Sequence, residues 1–150
     1  MAEDRFMVGG DEITFRVRSG ETDGALAAAE VRMPAGGGPP VLHRHAPAEI
    51  YRVEAGELAI YVEDGGGEVV RHRVGPRGVM LIPGGRAHTI RNVSAEEALA
   101  YVVFAPGAPI EGFARAAAEL AAAGTPGMAE VVALAERHGI ELTGPVPVPA

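Results

Sequence analysis

Between Asp11 and about Pro106, almost every run of apolar residues is soon cut by a glycine or proline. Such a chain cannot build long helices, and it reads as short strands joined by tight turns. Ile13, Phe15 and Val17 alternate with Thr14, Arg16 and Arg18, the period of a half-buried strand. Leu26 to Met33 is a second strand, and Ala35 to Pro40 is a loop on composition alone. Glu49 to Glu54 and Glu57 to Val62 flank Ala55-Gly56 as a hairpin. Glu68 to Val74 follows the turn Gly65-Gly66-Gly67, and Gly78 to Ile82, His88 to Val93 and Leu99 to Phe104 complete the series. The expected fold is all-β, a barrel or two-sheet jelly roll.

After Pro109 the period changes. Ile110, Phe113, Ala117 and Leu120 follow helical spacing, and Gly124 ends the run. Thr125 and Pro126 read as the N-cap and first position of a second helix, with Val131, Leu134 and Ala135 on its buried side and Gly139 as its stop. The chain of 150 residues suits one domain. Residues 1–106 are expected to form the barrel with its N-terminal strands. Residues 107–150 are expected to be a helical segment and an extended tail, marked by Pro145, Pro147 and Pro149, packed outside it.

Charge and composition exclude several functions. The net charge is −7 and no basic run stands out, so a nucleic acid would be repelled, and no helix-turn-helix accompanies the strands. All 13 basic residues are arginine, which removes Schiff-base chemistry. The count of cysteine is 0, which removes disulfides and thiolate chemistry. Met1 to Gly10 lacks a signal peptide's apolar stretch and no run reaches membrane-spanning length, so a cytoplasmic protein without a membrane partner is expected.

The stretch His43-Arg44-His45-Ala46-Pro47-Ala48-Glu49 carries the chemistry. Two histidines at i and i+2 on a strand share a face, and Glu49 has the same parity, with Pro47 bending the chain between them. That is half of a metal site. A second stretch, Pro83 to Asn92, is a tight turn feeding a strand that begins near His88, which supplies a further ligand from elsewhere in the chain.

These two stretches resemble the two motifs of the cupin superfamily. The first has His-X-His, three residues, Glu49, then six residues to Gly56, with Gly37 six residues before His43. The second has Pro83, Gly85, His88 and Asn92 in the order Pro-X-Gly-X-X-His-X-X-X-Asn. In one departure, Gly78 stands five residues before Pro83 where the motif has six, which leaves all four ligand positions intact. The resemblance, over roughly residues 30–105, implies a cupin double-stranded β-helix. It implies one divalent transition metal ion (Fe, Mn, Ni, Zn or Cu) on His43, His45, Glu49 and His88, with Asn92 structural.

The whole chain, including a C-terminal helical segment ending Arg137-His138-Gly139-Ile140-Glu141, is similar to small bacterial quercetin-dioxygenase-like cupins. That resemblance implies a metal-dependent oxygenase for a small organic substrate, with Glu49 as both ligand and proton acceptor. The alternatives are a non-redox isomerase or lyase, in which the metal is a Lewis acid, and a non-catalytic small-molecule-binding cupin. Tyr51 and Val53 share the parity of Glu49, and Tyr51 is a pocket candidate because a buried hydroxyl needs a partner. Leu58, Ile60, Val62, Met80 and Ile82 read as core filling. Arg52 and Arg91 have the opposite parity and read as outward. His72 has the parity of Val70 and Val74 and reads as structural, with substrate contact as the alternative. His138 complements the end of the second helix. Leu99 to Phe104 is apolar on both faces, so the outer one must be covered by the helices or by a second subunit. A homodimer is expected, and a monomeric mass by light scattering would refute it.

Overall fold

A computed structural model describes residues 4–145. The strands are β1 (Arg5–Val8), β2 (Asp11–Val17), β3 (Ala27–Met33), β4 (Val41–Arg44), β5 (Ala48–Ala55), β6 (Leu58–Glu63), β7 (Val69–Val74), β8 (Val79–Ile82), β9 (His88–Asn92) and β10 (Ala98–Ala105). Helices α1 (Ala108–Ala122) and α2 (Met128–Arg137) follow, and β11 (Glu141–Pro145) ends the described chain. Two antiparallel sheets face each other in the orders β1-β2-β3-β10-β5-β8 and β11-β4-β9-β6-β7, a jelly-roll sandwich.

Alternation fills the space between the sheets. Tyr51 and Val53 of β5, Leu58, Ile60 and Val62 of β6, Ile90 of β9 and Val102 and Phe104 of β10 join one buried cluster with Phe15 and Ile82. Full burial of such side chains contributes about 1.5–3 kcal/mol each. On the other face of β10, Leu99, Tyr101 and Val103 are half-buried. The main contacts of the helices lie elsewhere, α1 on β1 and α2 on α1 and β11. Leu99 and Tyr101 instead have Arg32 and Arg52 as strand neighbours, whose aliphatic stems can shield them.

Three elements differ from the reading of the sequence. β1 and β11 were not legible as strands; β11 pairs with β4 at the sheet edge, Leu142 opposite His43. The positions of Pro147 and Pro149 lie outside the described residues. The second helix is capped by Gly127, not Thr125, and Pro126 precedes it. The Glu130 carboxylate reaches back to accept from the Gly127 amide at 3.2 Å, the half of a capping box that a glycine cap still allows. Arg52 and Arg91 are exposed, as parity required, and Arg52 pairs with Glu54 at 3.2 Å. His138 caps the end of α2 and stands 6.3 Å from the Phe113 ring, an edge-on structural contact.

Candidate metal centre

The site forms where the chain changes sheets. His43 lies on β4 and His45 just beyond it, while Glu49 lies on β5 in the facing sheet. Parity therefore does not explain their convergence, because a strand-to-strand crossing at Ala46 and Pro47 intervenes. His88 opens β9 directly opposite His43. The turn before it is locked to the crossing: the Gly85 amide donates to the His45 carbonyl at 2.8 Å. A Cβ on Gly84 would come within 2.2 Å of the Ala46 carbonyl oxygen, so only glycine lets the two turns approach this closely.

Each imidazole is held in the same way. Nδ1 of His43 lies 3.2 Å from the Val41 carbonyl, Nδ1 of His45 lies 2.9 Å from that of Pro47, and Nδ1 of His88 lies 2.9 Å from that of Arg86. A carbonyl only accepts, so each Nδ1 carries the proton and each Nε2 keeps its lone pair for the interior. The ligand nitrogens of the three histidines all lie within 4.8 Å of one another. Glu49 Oε2 stands among them, 3.3 Å from His45 Nε2 and 2.6 Å from His88 Nε2.

Both Glu49 Oε2 and His88 Nε2 are buried without a hydrogen-bond partner. Two lone-pair atoms at that separation need a proton or a cation between them. Burial pushes the His88 imidazole down, and the Glu49 carboxylate more than reverses this, raising it. Burial raises the Glu49 carboxyl, yet the His45 and His88 imidazoles outweigh it and hold it well below the usual carboxylate range. His43 is pushed down to about 4, first by burial and then by His88. Three nitrogen donors and a carboxylate oxygen, those of His45, Glu49 and His88 buried and that of His43 half-buried, fit a divalent transition metal.

The structure thus brings His43, His45, Glu49 and His88 together, with Tyr51 beside them. The Tyr51 hydroxyl donates to Glu49 Oε1 over a long 3.4 Å, and burial, then Glu49, raises its pKa. His72 stands apart from this cluster, in a cavity wall. The sequence reading missed Gly84 and the three carbonyls, although each carbonyl lies two residues from its histidine, a spacing that could have been looked for. Asn92, at the other end of β9, donates to the carbonyls of Met33, Pro34 and Glu96 at 3.1, 3.1 and 2.8 Å.

Residues 29–104, half of the chain, match the family described as Cupin domain. The chain belongs to the cupin family. Among solved cupin structures it is similar to the cupin domain of Schizosaccharomyces pombe Cnp3, with 22% identity, a TM-score of 0.55 and coverage of 63% of this chain and 64% of that one. It is similar to a variant of oxalate decarboxylase from Bacillus subtilis at 25% identity and a TM-score of 0.60, covering 69% of this chain and 27% of that one. It also resembles a cupin-superfamily sugar phosphate isomerase from Silicibacter pomeroyi, at 22% identity and a TM-score of 0.50, covering 65% and 60%. The chain therefore spans little more than a quarter of the oxalate decarboxylase. No curated protein matches it. No helix among the described residues is long and apolar enough to cross a membrane.

Proposed function

We propose that this cupin is a metal-dependent enzyme acting on a small organic molecule, with dioxygenation of the quercetin-dioxygenase-like kind as its reaction. The observation that carries the reading is the buried Glu49 Oε2 and His88 Nε2 pair, left without partners inside a ring of imidazoles. Unsatisfied polar atoms in an apolar barrel cost stability unless a ligand occupies the site. His43, His45, Glu49 and His88 are the proposed ligands of one divalent ion. When bound, that ion supplies Lewis-acid polarisation of a substrate oxygen and, if it is iron, manganese, nickel or copper, redox capacity.

The protein's own groups divide the remaining work. Glu49 turns Oε2 to the imidazoles and Oε1 to Tyr51. Oε1 is thus the oxygen able to take a proton from an enol or phenol substrate, and the Tyr51 hydroxyl positions it. Ile82, opposite Glu49 on β8, is buried and keeps water from that side. A second reading, a non-redox lyase or isomerase, is supported by the 25% identity to a decarboxylase.

The test loads the protein with each metal in turn and screens phenol and enol substrates with an oxygen electrode. Oxygen uptake that His88→Ala abolishes supports the dioxygenase. Conversion that persists under argon or with zinc supports the lyase or isomerase. Binding without product would leave a small-molecule-binding cupin, and failure to take up any metal would overturn the metal reading.

A further inference from the structure

His72 and Arg86 line a cavity that no step above uses. It opens between β7 and β8, one edge strand from each sheet, and has a volume of about 320 Å³. That is room for a small ring compound. Val62, Val70 and Met80 supply apolar lining. The strand register ties the cavity to the metal centre, since Val62 stands opposite His88 and Met80 opposite Tyr51. Val70 and His72 stand opposite Val62 and Ile60, both members of the inward cluster, so His72 faces the space between the sheets.

The charged groups at this cavity are not equivalent. Asp64 is spent on its own turn, where Oδ1 accepts from the amides of Gly66 and Glu68 at 2.8 and 3.0 Å. Glu63 also lines the cavity, but it follows Val62 on β6 and shares the parity of Ala59 and Tyr61, which belong to the outer cluster. Arg86 is exposed, and its guanidinium takes part in no ion pair among the described residues. Its carbonyl meanwhile orients His88. One residue therefore joins the cavity to the metal centre.

We propose that the cavity binds a small organic acid, its apolar body against Val62, Val70 and Met80 and its carboxylate held by Arg86 and His72. A guanidinium grips a carboxylate with two parallel hydrogen bonds, and an imidazole adds an N–H donor. The fate of the bound acid rests on the metal-enzyme reading, whereas the binding itself does not.

Calorimetric titration of the full-length protein with benzoate and its neutral counterpart benzamide tests this, with metal content measured on the same samples. Benzoate is expected to bind at least roughly tenfold more tightly than benzamide. Arg86→Gln should bring benzoate to the benzamide level and leave benzamide unchanged. His72→Leu should weaken benzoate several-fold, His72→Gln less because it keeps an N–H donor, and Arg71→Gln on the outward face of β7 not at all. Circular dichroism melting confirms that each variant folds. Equal affinity for the two probes, no benzoate binding at millimolar concentration, or no effect in a folded Arg86→Gln would overturn the proposal. Selectivity for benzoate in a protein that takes up no metal would overturn the metal reading and leave this one standing.

Discussion

His88 and Asn92 stand on the same short strand, four residues apart, both buried and both polar, yet they are treated in opposite ways. Asn92 is saturated: its amide group donates to three carbonyls, and its Oδ1 accepts from the Ser94 amide at 2.9 Å. His88 has one nitrogen satisfied and the other left bare beside Glu49. A saturated buried polar group fastens chain segments together, while an unsaturated one stores binding capacity. One end of β9 therefore fastens the sandwich, and the other is where the proposed metal would be held.

The comparison breaks most visibly at its functional end. His88→Ala should reduce bound transition metal from about one ion per chain to nearly none, measured by plasma mass spectrometry after reconstitution, with the fold retained by circular dichroism. Full occupancy in the variant would remove His88 from the ligand set. At the other end, Asn92→Ala should lower stability by about 2–4 kcal/mol, because several carbonyls lose their donor. Its melting temperature should fall markedly while the metal stoichiometry persists. A variant that melts with the wild type would show the saturated end to be dispensable.

Gly84→Ala sharpens the comparison from a third side, since it forces apart the turns carrying His45 and His88. We expect a loss of about 1–3 kcal/mol together with weaker metal retention, read by melting and by chelator competition. An unchanged variant would mean that the turns need no close approach.

A pH series on the metal-free protein separates His43 from the rest. Its folded pKa lies near 4, below the ordinary 6.5. Between those values the unfolded chain binds the proton and the folded one does not, so His43 makes the fold less stable as pH falls through that window. Relative to wild type, His43→Gln should gain melting temperature as pH drops from 6.5 to 4. A constant difference across the window would contradict the assignment. Tyr51→Phe should have the smallest effect, under about 1 kcal/mol by chemical denaturation, because its 3.4 Å hydrogen bond is long. A larger loss would place Tyr51 with the saturated groups.

His43, His45 and Glu49 were legible as one local cluster because groups near one turn keep fixed intervals, whereas His88, on a distant turn, joined the set through the resemblance to the second cupin motif. The β class and the approximate strands were legible through alternation and through turns written in Gly and Pro. β1 and β11 were not, since Arg5–Val8 and Glu141–Pro145 are only partly buried and show little of that alternation in residue type. The cap of α2 was misplaced because Thr125 and Pro126 carry the right chemistry for a helix start, while the Glu130 side chain decides where the first amide is satisfied.

By itself, then, the sequence determined which residues could be ligands, where the chain turns and which side of most strands is apolar. These are short-range matters of periodicity and backbone preference. Tertiary structure alone decided that the chain crosses sheets between His45 and Glu49, that Gly84 must admit the Ala46 carbonyl, and that His72 and Arg86 share a cavity. Each of those depends on pairing between strands distant in sequence, for which a local pattern carries no register.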